Sequence, residues 1–290
     1  MGNSNGSKFK KYLSLVKFSH TIFAMPFAFI GFFLAYSVTP SNVSWKLFAL
    51  VILCMVFARN AAMSFNRVVD RFIDQKNPRT SEREIPKGII SAKSAILFTV
   101  LNAILFIVTT WFINRLVFFL SPVALSVILL YSFTKRWTVL CHLILGLGLS
   151  LAPIGAYLSV TGRFDLVPIL YSLIVLFWVG GFDIIYSLQD EEFDKTESLK
   201  SIPAAIGPKN ALWVATIFHV ITALTVLFVG LKLDAGSWYW SGAIIFIALL
   251  VYQHSLVSPK NIERVNLAFA TTNGIASIIF AIFNIINFLH

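Results

Sequence analysis

An all-α bundle of about nine membrane-crossing helices is the fold this sequence predicts. Charge is scarce, apolar residues run in long unbroken stretches, and basic residues collect in alternate connections. Of the 290 residues, 58% are hydrophobic and only 12% are charged, and the mean hydropathy is +0.81. Soluble domains carry about 25% charged residues, so roughly half of the usual charge is missing. The runs are continuously apolar rather than alternating, which argues against membrane β-strands.

Nine segments are long enough, at roughly 17 to 26 residues each, to span a bilayer as helices. They fall near 18–38, 47–66, 94–114, 116–133, 137–162, 166–189, 211–231, 235–253 and 265–288. Pro26, Pro122, Pro153 and Pro168 lie within or near spans, where kinks are tolerated once neighbours satisfy the freed carbonyls. A polar stretch, MGNSNGSKFKKYLSLVK (1–17), precedes the first run. That run is too long for a signal-peptide core and lacks a small-residue cleavage site, so it reads as a helix. The start MGNSNG misses the myristoylation pattern because Gly6 stands where Ser or Thr is needed. The chain reads as one domain over 1–290.

The two cysteines, Cys54 and Cys141, sit inside apolar runs and read as small buried hydrophobes. They offer neither a disulfide framework nor metal-ligand spacing. The net charge of +10 does not point to nucleic acid, because the basic residues are not on a soluble domain. In a membrane chain they report orientation and anionic-lipid contact. With the amino terminus inside, the inner connections receive eighteen Lys and Arg residues. The outer ones receive only Lys46, Arg115, Arg163 and Lys232. Arg59 is left over, inside the second span. This bias places the amino terminus and the long connections on the cytoplasmic side of an inner (cytoplasmic) membrane.

Two connections are long for a helical bundle, about 67–93 and 190–210, and long connections tend to be functional. Both lie on the predicted cytoplasmic face, and both begin with clustered acids. In the first, Asn66, Asp70 and Asp74 are spaced i, i+4, i+8, one stripe of a helix. In the second, DIIYSLQDEEFD, Asp183, Asp190 and Asp194 are spaced i, i+7, i+11, again one stripe, with Tyr186 a turn past Asp183. A solvated face is the ordinary explanation of a charge run. It fits poorly here, because charge within a span costs roughly 2.5–3.5 kcal/mol at the helix centre. Asp183 lies inside the sixth run and needs a partner. Two facing acid stripes would repel unless something cationic sat between them. A divalent cation suits the gap: carboxylate and amide oxygens are hard ligands for Mg²⁺, which is usually held by a few carboxylates plus substrate phosphates. The surrounding arginines and lysines suit phosphate too.

The pattern N-x-x-x-D-x-x-x-D in NRVVDRFID resembles the first signature of the UbiA superfamily of intramembrane aromatic prenyltransferases. NPRTSEREIPKG resembles its continuation, and DIIYSLQDEEFD its second signature, D-x-x-Y-x-x-x-D-x-x-x-D. YSFTKRWT (131–138) and PIGAYLSVTG (153–162) resemble further blocks, so the likeness runs from about 17 to 210.

The resemblance implies nine helices around a central cavity, with both motifs at its cytoplasmic mouth. It implies transfer of a prenyl chain from an allylic diphosphate to an electron-rich aromatic ring. Carried over position by position, Asn66, Asp70 and Asp74 would make one magnesium–diphosphate contact, and Asp183, Asp190 and Asp194 the other. Arg79 and Lys135 would steady the diphosphate, and Tyr131 and Tyr186 would line the cavity. Physically, metal and cations neutralise the leaving diphosphate, aromatic faces such as that of Tyr131 stabilise the allylic cation, and a dry cavity protects it. A carboxylate of the site or the released diphosphate would take the ring proton.

Arg59 precedes Asn66 by seven residues, so it shares the stripe about 10 Å deeper. Hydroxybenzoate-prenylating members of the group carry an arginine at this spacing. The resemblance therefore implies a carboxylate-bearing acceptor, such as 4-hydroxybenzoate or a hydroxynaphthoate, in ubiquinone or menaquinone synthesis. The partners expected are the donor, the acceptor and the bilayer, with no nucleic acid and no obligate protein. His20, His142, His219 and His254 are scattered and read as core or interface residues. Gly146 and Gly148 read as close-packing positions, and Asn102, Asn266 and Asn273 as helix cross-links. The C-terminal helix is the least informative region. Two other readings compete: the same fold with haem, a chlorophyll precursor or a glycerol-phosphate lipid as acceptor, and an ion-coupled transporter. The transporter predicts acids strung along a path through the bilayer, whereas these gather at one face. It also favours inverted repeats, whereas helices 2 and 6 run the same way.

Overall fold

The computed structural model describes residues 11–16, 24–42 and 44–290. The chain before residue 11 and the start of the first predicted span, with His20, lie outside the described residues. The helices are α1 (Met25–Val38), α2 (Trp45–Val69), the short α3 (Arg71–Lys76), α4 (Ala92–Trp111), α5 (Arg115–Trp137) and α6 (Cys141–Thr161). They continue with α7 (Leu166–Ser187), the short α8 (Glu191–Thr196), α9 (Ile202–Lys232), α10 (Ser237–Ser255) and α11 (Asn273–Leu289). A π-helical turn, Leu267–Thr272, leads into α11. No β-strand occurs among the described residues.

Each of the nine predicted segments has its helix. Seven helical stretches among the described residues are long and apolar enough to cross a membrane, and α1 is a shorter apolar helix. The ninth, α10, is diluted by Trp238, Tyr239 and Trp240 at its start and by Gln253 and His254 at its end. The outward faces are greasy. Leu97, Leu101, Ile104 and Val108 follow one another at helical spacing along α4, all exposed. In water such a stripe would invite aggregation; in a bilayer it is the face that meets lipid. Trp45, Trp111 and Trp238, exposed near helix ends, suit the membrane–water interface.

Polar residues end the spans. Ser44, Ser91 and Asn114 cap α2, α4 and α5 by accepting backbone N–H groups of Leu47, Ser94 and Val117. Gly162, at φ 66°, closes α6. Two expected boundaries are corrected. The helix expected at 211 begins at Ile202, capped by Ser201, with Pro203 tolerated in the first turn. It breaks only at Gly207 (φ 78°, ψ 164°) before Pro208 restarts it. The connection expected over 190–210 is therefore mostly helical. The other, 67–93, is helical at its start: α2 reaches Val69, Asp70 is the cap between helices, and α3 carries Asp74.

Helix α6 packs against α1, α5 and α7; α7 packs on α9, and α1 on α11, while α2 lies against α4 and α5. Phe27, Trp178, Phe246 and Phe280 meet at the largest core, with Phe246 and Phe280 stacked at 4.8 Å. Asn60 donates to Asn102 (3.1 Å) between α2 and α4, and Trp178 to Asn273 (3.0 Å) across to α11. Glycine sets the closest approaches. A Cβ at Gly31 would stand 2.0 Å from the carbonyl oxygen of Pro153, and one at Gly146 2.3 Å from that of Leu176. Backbone cannot yield as a side-chain tip does. Gly146→Val is therefore expected to lower the unfolding midpoint in detergent, at a cost of roughly 1–3 kcal/mol or more. At Gly148 only ordinary contact with Ile128 is present, and Gly148→Ala should leave the midpoint unmoved.

Candidate active site

The site is built where α2, α5 and α7 end on the same side of the bundle. The unbroken helix from Trp45 to Val69 carries Arg59, Asn66 and, at its cap, Asp70. Asp70 is 3% exposed and accepts from three side chains: Lys135 Nζ at 2.7 Å, Arg136 Nη2 at 2.9 Å and Asn66 Nδ2 at 3.2 Å. Asp74, also 3% exposed, accepts from Arg83 Nη1 at 2.7 Å. Its second carboxylate oxygen is buried with no hydrogen-bond partner among the described residues.

The second motif is reached from the first. Asn77 Nδ2 donates to Asp190 at 3.0 Å, and Arg79 grips the same carboxylate through Nε (2.9 Å) and Nη2 (2.5 Å), the fork geometry of guanidinium on carboxylate. Arg79 Nη1 also donates to the Tyr186 hydroxyl at 3.1 Å. Burial works against the charge on Arg79, but the hydrogen bond and charge of Asp190 outweigh it and hold the guanidinium above its ordinary value. Lys76 pairs with Glu197 at 2.6 Å nearby. Asp194, on α8, has Ser201, Asp190, Lys135 and His142 as electrostatic neighbours. Lys135 thus addresses both motifs. Tyr131, on α5 one turn before Lys135, has Asp183, Asp70 and Arg83 among its electrostatic neighbours.

The structure brings Asn66, Asp70, Asp74, Arg79, Tyr131, Lys135, Asp183, Tyr186, Asp190 and Asp194 to one end of the bundle. Arg59 stands two turns deeper on α2, partly buried. The structure adds protein partners to two sequence expectations. A divalent cation is expected between the acid stripes, with arginines and lysines around it; here the chain's own Arg79, Arg83, Lys135 and Arg136 pair with the carboxylates. Asp183, expected as a metal ligand, has a protein partner: His142 Nδ1 lies 2.7 Å from its Oδ2. His142, expected as a core or interface residue, is therefore part of the site. Its Nε2 accepts the backbone N–H of Ile202 at 3.3 Å, which leaves Nδ1 to donate to Asp183.

Asn77, Arg83 and Arg136 carry no individual site role in the sequence patterns. All three lie inside stretches that those patterns single out. His142 gave no such signal, since 41 residues separate it from Asp183.

The donor set suits a hard cation. It offers carboxylates, one Asn amide and a buried carboxylate oxygen on Asp74 that has no other partner among the described residues. Among the described residues no three His, Cys, Asp or Glu side chains converge as a ready-made metal site. Mg²⁺ typically keeps waters and takes substrate phosphate as well as one or two carboxylates.

A model of the UbiA prenyltransferase family matches residues 24–282. The chain belongs to this family. Among its UbiA relatives, a 4-hydroxybenzoate octaprenyltransferase of Aliivibrio salmonicida is 28% identical over 276 residues, covering 94% of this chain and 96% of that protein. Another, of Nitrosomonas europaea, is 29% identical over 233 residues, covering 79% and 78%. The solved apo structure of a UbiA homolog from Aeropyrum pernix K1 superposes with a TM-score of 0.84 at 28% identity, over 92% of this chain and 97% of that one. A UbiA homolog from Archaeoglobus fulgidus, solved bound to DMAPP and Mg²⁺, shares the fold at TM-score 0.74 and 24% identity, over 96% and 99%. The chain is a multi-pass membrane prenyltransferase of the UbiA family.

Removing His142 is expected to act through Asp183. His142→Ala strips the carboxylate of its donor and the Ile202 N–H of its acceptor, and should slow prenyl transfer about tenfold or more, as loss of an orienting group does. His142→Gln, which can both donate and accept, should recover part of the rate. Steady-state rates of the two variants beside their unfolding midpoints make the comparison.

Proposed function

We propose that this protein transfers a prenyl chain from an allylic prenyl diphosphate to a hydroxylated aromatic acid of the 4-hydroxybenzoate type, in quinone biosynthesis. The aspartate end faces the cytoplasm at the inner membrane. The observation that carries the reading is the convergence of the two motifs: Asn77 and Arg79, from the connection after α3, hold Asp190 at the end of α7. One ligand can therefore touch both. The names of the A. salmonicida and N. europaea relatives support the acceptor class. The ligands of the A. fulgidus homolog support the donor and the metal. The one-sided charge of the connections supports the orientation.

The chain's own residues perform most of the chemistry. Arg79, Arg83, Lys135 and Arg136 present guanidinium and ammonium groups to the donor's diphosphate, stabilising the negative charge that grows as its C–O bond breaks. Asn66, Asp70, Asp74, Asp190 and Asp194 would hold Mg²⁺, which supplies Lewis-acid neutralisation of the leaving diphosphate. Tyr131, on α5 one turn before Lys135, would offer its π-face to the allylic cation. The surrounding apolar helices keep water from that cation. A ring carbon of the acceptor then forms the new C–C bond, and the ring proton leaves to a carboxylate or to diphosphate. Asp183, oriented by His142, is the carboxylate held ready near Tyr131. Arg59, deeper on α2, is placed to receive the acceptor's carboxylate.

Purified protein incubated with Mg²⁺, a radiolabelled prenyl diphosphate and a panel of aromatic acids tests the reading. Prenylated 4-hydroxybenzoate or a hydroxynaphthoate product is expected. Product formation should stop reversibly in EDTA, and it should be lost in Asp70→Ala and Asp190→Ala proteins that still fold in detergent. Full turnover in excess chelator, or by either variant, rejects the metal assignment. Arg59→Ala has a separate outcome. The apparent KM for a carboxylated acceptor should rise about tenfold or more, as expected for a lost charge-assisted pair, with the donor KM unchanged. Equal effects on both substrates remove the acceptor role.

A further inference from the structure

The chain winds as a π-helix over Leu267–Thr272 before α11, a geometry rare in proteins and frequent at functional sites. Side chains stabilise the widened turn from several directions. Thr272 Oγ1 donates to the Leu267 carbonyl at 3.2 Å, and Gln253 Nε2 to the Ala268 carbonyl at 3.1 Å. Asn273 Nδ2 donates to the Ala268 and Phe269 carbonyls at 3.2 and 2.9 Å, while its oxygen accepts from the Trp178 indole. Gln253 and Asn273 are both 0% exposed, so these amides are committed to holding the turn.

The turn delivers one ring to the site. Phe269 stacks on Tyr186 with centroids 4.0 Å apart and planes 30° from parallel, and it meets Phe182 edge-on at 5.4 Å. Tyr186 is the ring that Arg79 engages, through its hydroxyl at 3.1 Å and with the guanidinium carbon 5.3 Å from the ring centre. The order Phe269, Tyr186, Arg79, Asp190 is thus a continuous set of contacts from the C-terminal helix to the second acidic motif. With one face of Tyr186 covered, its ring has a single place to stand, and the Arg79 fork is aimed accordingly.

We propose that Phe269 is a positioning residue for the donor diphosphate, acting through Tyr186 and Arg79, a role that rests on the prenyl-transfer reading above. Phe269 leaves the chain from within the π-turn, so the widened turn sets the direction in which its ring meets Tyr186.

The test uses the full-length protein in nanodiscs with Mg²⁺, geranyl diphosphate and 4-hydroxybenzoate, varying one substrate at a time. Phe269→Leu is expected to raise the donor KM by about two- to tenfold, the range of one aromatic pair, and to leave the acceptor KM unchanged. Phe269→Tyr, which keeps the ring, should restore the wild-type donor KM. In an Arg79→Lys background, Phe269→Leu should add little, because the fork it aims is gone. Should Phe269→Leu fail to fold, Phe269→Met and Phe269→Trp carry the same comparison. A wild-type donor KM in the folded Leu or Met variant, equal rises for both substrates, or additivity with Arg79→Lys overturns the role and leaves the prenyl-transfer reading standing. A wild-type protein that turns over no prenyl diphosphate removes both.

Discussion

Asp70 and Asp74 are each 3% exposed at the end of a membrane helix, and charge buried that far is stable only where another charge meets it. Lys135 and Arg136 meet the first, and Arg83 the second. Asp190, less buried, is met by Arg79. These pairs do more than neutralise. Lys135 and Arg136 stand on α5, Asp70 at the end of α2, and Arg79 and Arg83 on the irregular stretch between α3 and α4, so the ion pairs fix how those segments meet. Breaking such a pair from one side typically costs about 3–5 kcal/mol, because a buried charge is left alone. The end of the bundle is shaped by this requirement before any substrate arrives.

The same groups are those a diphosphate needs. Guanidinium binds phosphate oxygens with the geometry it uses for carboxylates, so Arg79 can exchange one anion for the other with little rearrangement. The second motif is positioned independently from behind. His142 joins the start of α6 to Asp183 and to the backbone of Ile202, and Phe269 backs Tyr186.

Much of this was legible in the sequence because it is written locally. Spans are continuous apolar runs, and each of the nine has its helix. Asn66, Asp70 and Asp74 could be grouped by their four-residue spacing, although Asp70 proves to be the cap where α2 gives way to α3. Elements that depend on distant partners were not legible. The start of α9 at Ile202 was hidden by Gly207 and Pro208, which read as a loop although a single positive-φ residue lets the helix resume. His142 has meaning only beside Asp183. The π-turn at Leu267–Thr272 has no compositional mark; Gln253 and Asn273 hold it from α10 and the start of α11. The cations between the acid stripes stood in the sequence, but which carboxylate each would meet depended on how the connection after α3 folds back over α7.

Charge balance connects the resting site to the proposed reaction. Arg79, Arg83, Lys135 and Arg136 are all engaged by Asp190, Asp74 and Asp70 as the site stands. A diphosphate entering alone would draw the cations to itself and strand the buried carboxylates, the costly outcome that the resting pairs avoid. On the proposed reading, divalent cations arriving with the donor would avoid that cost, because they would neutralise the carboxylates that the guanidinium and ammonium groups leave. These carboxylates would then hold Mg²⁺ together with the donor's diphosphate, as Mg²⁺ is usually held by one or two carboxylates plus substrate phosphates.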